Sequence, residues 1–242
     1  MKFNTNSNTY IIIYSVVMVV IVAVLLSLAA LGLKDRQQQN ILNEKKTQIV
    51  KALGEDPATV SYDSVITKAM ILNEKGEVVE GDVFEALNDL KGSFSAQRYP
   101  IFVATSGVVV PLYGAGLWGP IWGYIALDTD MNTVKGIVLD HSGETPGLGA
   151  EITTPKHQAM YPGKTIYEGD AIVGVTLKKG GADKSNPHEV DAITGGTKTS
   201  DGVSAMISDC LNYYKPYFDA ARADAVAPAA ETVEAESNTL NE

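Results

Sequence analysis

The first apolar run is also the longest. From Tyr10 to Leu33 no charged residue occurs. A helix rises about 1.5 Å per residue, so roughly 20 apolar residues cross the ~30 Å hydrocarbon core of a bilayer. The run therefore predicts a transmembrane helix over 10–33, preceded by a short segment, 1–9. A cleaved signal peptide has an apolar region of only about 7–15 residues behind a basic stretch. Here Lys2 is the one basic side chain ahead of the run, which favours a retained anchor.

Polar residues then dominate. Ile41, Leu42, Ile49 and Leu53 fall loosely on one face among Gln and Lys residues, predicting a helical stalk over 34–56 that Pro57 ends. A membrane-proximal α/β segment follows over 57–98. In it, Ala69–Leu72 and Glu77–Glu80 flank the Gly-containing turn Asn73–Gly76, a hairpin signal. Asp82 with Glu85 reads as a capping box opening a short helix to about Leu90. Four strand-length runs come next, Tyr99–Thr105, Ile121–Leu127, Val134–Asp140 and Ile172–Leu177, rich in β-branched and aromatic residues. The Asp128–Thr133 connection pairs the middle two as an antiparallel hairpin. Near Ser200 an amphipathic helix is expected, with Val203, Met206, Ile207, Cys210, Leu211 and Tyr214 on one stripe. Cys210 is thereby placed in the core. No internal repeat occurs. The pattern predicts an α+β fold: one N-terminal span, then a domain over 99–218 of antiparallel sheet and helices, then an acidic disordered tail over 219–242. Ala223 to Glu242 holds five acidic residues and no basic or aromatic one.

Composition narrows the function classes. The net charge of −10 and the lack of clustered Lys and Arg argue against nucleic acid. One cysteine excludes an internal disulfide or a cysteine-ligated cluster built by this chain alone. His141, His157 and His188 show no ligand spacing and read as surface or satisfied histidines, so no metal is assigned. Asp128, Asp130 and Asn132 lack the EF-hand pattern. A span without internal charge offers no ion path. The basic residues Lys34, Arg36, Lys45, Lys46 and Lys51 follow the span, against Lys2 before it, and by charge count alone the large domain would be cytoplasmic.

The segment Asp191-Ala-Ile-Thr194-Gly195-Gly196-Thr197-Lys198-Thr199-Ser200 carries the most chemistry. Paired glycines let a ligand approach the main chain, and a helix start supplies free N–H groups and partial positive charge that suit a phosphate. Thr194, Thr197, Thr199 and Ser200 add hydroxyls, and Lys198 adds a cation. The same residues also fit a polar loop ending in an N-cap at Thr199 or Ser200. Neither a P-loop nor a Rossmann spacing is present.

Asp191-x-x-Thr194-Gly195-Gly196-Thr197 resembles the Asp-x-x-Ser/Thr-Gly-Ala-Thr motif at which flavin transferases attach FMN, taken from FAD, to the last threonine. Gly196 stands where that motif usually has alanine. Ahead of it, in order, come Tyr113-Gly-Ala-Gly-Leu-Trp-Gly-Pro-Ile-Trp-Gly-Tyr124, Asn132-Thr-Val-Lys-Gly136 and Glu144-Thr-Pro-Gly-Leu-Gly-Ala-Glu151. Together with the anchor, these resemble the C-subunit family of sodium-translocating NADH:quinone reductases, a covalent-FMN-binding family related to the G subunit of Rnf complexes.

The resemblance implies an electron-relaying subunit, not catalytic alone, with covalent FMN on Thr197. Asp191, Thr194, Gly195 and Gly196 would be read by the flavin transferase, and Lys198 and Thr199 would lie at the phosphate. Residues 1–9 would be cytoplasmic and the large domain periplasmic, on a single pass through the bacterial inner membrane. Its partners would be other membrane and peripheral subunits, lipid and the transferase. The family placement and the charge count disagree; the count holds best for short loops. Glu144 to Gly149 is the candidate second wall of the flavin site, with Thr145 reaching ring or ribityl oxygens and Leu148 against the ring. It reads equally as a glycine-rich connection between strands. Trp118 and Trp122 suit ring contact, core or a partner face. Two other functions remain open on the residues: an Rnf-type ferredoxin:NAD oxidoreductase subunit, and a membrane-tethered binding or scaffold protein without flavin.

Overall fold

The computed structural model describes residues 7–224. The chain divides into two units, one ending at Lys45 and the other starting at Lys46. Most of the first is the helix α1 (Asn8–Ala52). Its side chains from Tyr10 to Leu33 are exposed all round the helix, the mark of a segment whose solvent is apolar. Among the described residues it is the one helix long and apolar enough to cross a membrane. Span and stalk form a single uninterrupted helix. Gly54 rather than Pro57 ends it: Gly54 sits at φ +81°, its N–H bonds Lys51 C=O at 2.9 Å and that of Glu55 bonds Val50 C=O at 3.3 Å. Those two bonds make a Schellman motif, which satisfies the last carbonyls.

The second unit is an antiparallel sheet with helices. In chain order it contains α2 (Tyr62–Val65), β1 (Ile66–Leu72), β2 (Val78–Val79), α3 (Val83–Ala86), α4 (Leu90–Ser95), β3 (Tyr99–Ala104), β4 (Gly107–Ala115), β5 (Pro120–Leu127) and β6 (Val134–His141). Then come α5 (Pro155–Gln158), β7 (Tyr167–Glu168), β8 (Ala171–Ile172), β9 (Thr176–Lys178), β10 (Glu189–Asp191) and α6 (Thr197–Tyr213). The main sheet has the order β2-β1-β3-β4-β5-β6, with β7–β8 and the parallel pair β9–β10 beside it. The expected hairpins are present: β1 pairs with β2, and β5 with β6. Asp82 caps α3 by accepting from the N–H groups of Phe84 and Glu85.

Both faces of the sheet are covered. Ile121 and Ile125 of β5 pack with Val110 and Leu112 against Val203, Met206 and Ile207 of α6. Tyr124 and Ala126 point the other way, packing with Phe102 and Val109 against Ile49, Ala52 and Leu53 at the end of α1. A strand buried on both sides reads as a continuous apolar run rather than an alternation.

The strand β4 is not among those the sequence predicts, because Pro111 in its middle demotes the run. The structure tolerates the proline because β3–β4 pairing stops at Phe102↔Val109, so Pro111 has a strand partner, Tyr124, on one side only. Beyond that point α6 takes over from β3. Tyr113 N–H donates to Cys210 Sγ at 3.4 Å, and the thiol lies 3.5 Å from Tyr113 C=O. Cys210 is buried as expected, and burial pushes its thiol up to about 12, leaving it packed and unreactive.

Other departures have local causes. The run Ile172–Leu177 is two strands because Gly174, at φ +68°, breaks it. Residues 215–224 are helical, so 219–224 do not belong to the tail; its remainder, 225–242, lies outside the described residues. His157 is neither on the surface nor fully satisfied. It is buried, with Nε2 3.0 Å from Tyr161 Oη and Nδ1 without a partner among the described residues.

Burial lowers the His157 pKa from 6.5 to about 4. Across that window the unfolded chain takes up a proton that the folded chain refuses, so stability falls as the pH drops below 6.5. Urea unfolding at pH 5 should show about 2 kcal/mol less stability from this residue than at pH 7. His157→Gln should flatten the difference.

Candidate functional site

The approach to α6 is set by backbone constraints. Ala192 N–H bonds Lys178 C=O at 3.1 Å just past the β9–β10 ladder, and Gly196 N–H closes a turn on Ile193 C=O at 3.0 Å. Gly195 has φ +74°, and a Cβ there would lie 2.6 Å from Leu148 Cδ2. Only glycine suits that place. Gly196 is the N-cap and has no side chain with which to cap, and Thr197 is the first helical residue. The helix thus begins ahead of Ser200, because the glycine pair rather than a Thr199 or Ser200 side chain makes its start. Ser200 Oγ instead accepts from Ile193 N–H at 3.0 Å, tying the loop to the helix.

This helix end is suited to an anion. Its first turn has no acidic residue and no side-chain cap, so its leading N–H groups carry no cap from the helix's own side chains and add partial positive charge there. Thr197 and Lys198 are both exposed there.

Two further segments frame it. Thr145-Pro146-Gly147-Leu148 is a type II turn, with Leu148 N–H on Thr145 C=O at 3.1 Å and Gly147 at φ +75°. The loop from Gly116 to Gly119 closes with Gly116 N–H on Gly119 C=O at 2.8 Å. Together they present Leu117, Trp118 and Leu148, which are 53%, 68% and 42% exposed. Large apolar side chains so exposed, next to one another, mark a binding surface.

Under that rim lies Glu144, 4% exposed. Its Oε2 accepts from Thr199 Oγ1 at 2.6 Å and its Oε1 from Trp118 N–H at 3.0 Å. Its own N–H donates to His141 Nδ1 at 3.2 Å. Burial alone would raise its pKa. The hydrogen bonds, from Thr199 first and then from the N–H groups of Trp118 and Leu117, outweigh it and hold the carboxyl below the usual range.

A cavity of about 160 Å³ forms among these segments, lined by Trp118, Glu144, Thr145, Leu148, Gly195, Gly196, Thr197, Lys198 and Thr199, with Leu117 and Gly149. The first nine of these are residues that the sequence singles out, here gathered into one place. Within it, the Thr199 hydroxyl and the Glu144 carboxylate are already engaged with each other. Leu117 is the one that sequence reasoning passes over. Its signal is the Gly-Leu-Trp-Gly string, two large apolar residues held out between glycines.

Three sequence candidates lie elsewhere. Asp191 and Thr194 line a separate cavity of about 410 Å³ with Gly147, Lys156 and His157. Asp191 Oδ1 accepts from Ala182 N–H at 2.7 Å, pinning the loop before β10. Trp122 sits half-buried on β5 opposite Tyr113 and lines neither cavity. Among the described residues, no cluster of His, Cys, Asp and Glu is arranged to hold a metal.

The chain is similar to known proteins along most of its length. Residues 116–212 match the FMN-binding domain family. The chain is 30% identical to the C subunit of the Na(+)-translocating NADH-quinone reductase of Pseudomonas aeruginosa, over 90% of this chain and 95% of that one. It is 31% identical to the C subunit of Vibrio anguillarum, over 75% and 81%. A crystal structure of the C subunit from Parabacteroides distasonis superposes with a TM-score of 0.72 at 39% identity, covering 77% of this chain and 96% of that one. The chain therefore belongs to the C-subunit family of the Na(+)-translocating NADH-quinone reductases.

Proposed function

We propose that this chain relays electrons within a sodium-pumping NADH:quinone oxidoreductase, through one FMN joined by its phosphate to Thr197 Oγ1. The observation that carries this reading is the exposed Thr197 hydroxyl on an uncapped helix N-terminus beside Lys198, facing a cavity with an apolar rim.

The residues present fit the group. The α6 N–H groups and Lys198 suit the phosphate, Thr145 suits a polar oxygen of the ribityl chain or ring, and Leu117, Trp118 and Leu148 offer apolar surface to the ring. When bound, the flavin supplies one-electron redox chemistry that the side chains lack. The chain's own part is to present an oxygen nucleophile and to position what becomes attached. In attachment Thr197 Oγ1 would be the nucleophile toward the flavin phosphate of FAD, with AMP as the leaving group and the hydroxyl proton passing to the flavin transferase. Asp191 and Thr194, set on the other side of the same loop, serve as the transferase's recognition points.

Within this reading residues 10–33 span the inner membrane once, 34–56 are the stalk, 57–98 the membrane-proximal segment and 99–218 the flavin domain, on the periplasmic side. Lipid and the remaining subunits are its standing partners.

Thr197→Ala, made alongside a flavin transferase and fully denatured, should lose the fluorescent band on a gel that wild type keeps. Thr197→Ser, which retains a hydroxyl at the same place, should keep it. Covalent fluorescence surviving in the alanine variant would remove Thr197 from the mechanism. For topology, alkaline phosphatase fused after residue 224 should be active, and a reporter functional only in the cytoplasm should be silent. The opposite pattern would put the domain on the cytoplasmic side, as the charge count has it.

A further inference from the structure

We propose that Glu144 is a positioning residue whose ionised carboxylate ties the Leu117–Trp118 loop and the Thr145–Leu148 turn to the first turn of α6, so that the Thr197 hydroxyl stays framed between them. This deepens the flavin reading and rests on it for the role of the frame, though not for the frame itself.

The geometry is that of a three-way junction. One carboxylate oxygen receives the helix, through Thr199 Oγ1 at 2.6 Å, and the other receives the loop, through Trp118 N–H at 3.0 Å. The turn is held because Glu144 immediately precedes Thr145. Space for the carboxylate comes from two glycines. A Cβ on Gly116 would stand 2.4 Å from Oε1, and one on Gly149 would stand 2.3 Å from Oε2 and 2.4 Å from Thr199 Oγ1. Backbone N–H groups only donate, so the loop requires an acceptor here, and a buried carboxylate meets that need because the donors and the helix N-terminus offset its desolvation.

The neighbouring charges are few. Loop 116–119 contains no titratable side chain, and the 143–149 segment none besides Glu144. His141 acts on it from its own segment, Lys198 lines the same cavity, and Asp201 is exposed one turn along α6. Glu151 lines the neighbouring cavity. The folded-state pKa of Glu144 is depressed, so its ties are at full strength above the ordinary carboxylate range and weaken to those of a neutral group as the pH falls through the lowered value.

Amide hydrogen exchange on the flavin-free chain tests this directly. In Glu144→Ala, the Leu117 and Trp118 amides should lose protection by about tenfold or more, the loss expected for a charged acceptor, while Ile125 in β5 is unchanged. Glu144→Gln should restore only part of it, to the level that acidified wild type reaches, because its amide oxygen still accepts from the loop and its NH2 group donates to Thr199 Oγ1, but without the charge that strengthens both ties. Wild-type protection, corrected for intrinsic exchange, should decline on acidification below the ordinary carboxylate range, while the glutamine variant stays flat. Thr199→Val, which cuts only the helix tie, should keep the loop amides protected yet slow covalent flavin incorporation several-fold. Unchanged Leu117 and Trp118 exchange in the alanine variant, or the same acid decline in wild type and glutamine variant, would overturn the assignment. Should the alanine variant not fold, the comparison of glutamine variant and wild type across pH decides alone. Absence of flavin from wild-type Thr197 would defeat the flavin reading and leave the exchange result standing.

Discussion

The structure turns on how closely α6 lies against the second half of β4. A Cβ on Gly202 would stand 2.3 Å from Ala115 C=O, and one on Gly114 would stand 2.7 Å from Met206 Cβ. Helix and strand therefore meet almost backbone to backbone, a distance that side chains on both elements would prevent. The contact is possible because β3 has stopped pairing there, and Cys210 takes over the main-chain groups of Tyr113 that a third strand would have used. A buried strand with no such partner would leave polar groups unsatisfied.

That approach decides where the site falls. With Gly202 against Ala115, the N-terminus of α6 has to emerge beside the Gly116–Gly119 loop, since loop and strand are continuous. β6 runs antiparallel beside β5 and delivers Glu144 a few residues after its end at His141. Helix start, loop and turn converge as a consequence of strand order, and Glu144 joins them. The sheet beneath is packed on both faces, so the loops above it leave from buried ends.

Legibility from the sequence follows the physical range of each signal. The apolar run of α1, the Gly-bearing β1–β2 turn and the stripe of α6 are periodic or contiguous patterns, and each lies where expected. The glycine–threonine segment is legible as the approach to a helix start, though not as to which residue begins the helix, because two glycines make a cap that carries no polar side chain to read. The strand β4 is hidden by Pro111, whose acceptability depends on where a neighbouring strand ends. Pro57 is the visible stop for α1, although Gly54 and two hydrogen bonds finish the helix earlier. Glu144 and Thr199 lie far apart along the chain, and both read as ligand contacts. That they are spent on each other follows only from Gly116 and Gly149 standing against one carboxylate, a long-range fact with no local trace. Leu117 and Trp122 show the same limit: large residues in one glycine-rich string, one at the rim and the other on a strand.

The size of the cavity bears on why a tether is needed in the proposed function. Sites that hold a drug-sized ligand without a covalent bond enclose about 300 Å³ or more and bury most of its surface. The space beside Thr197 is about 160 Å³, and its apolar rim is half in solvent, so contact alone would hold a flavin weakly and let it escape. The proposed phosphoester would remove that constraint: with the phosphate bonded to Thr197 Oγ1, dissociation would no longer depend on buried area, and the ring could stay open to redox partners on its outer side. Shallow walls are then an advantage rather than a defect, because an electron carrier that meets more than one partner gains from an exposed edge. The Glu144 junction suits the same end, since a shallow site has little else to keep its walls in place.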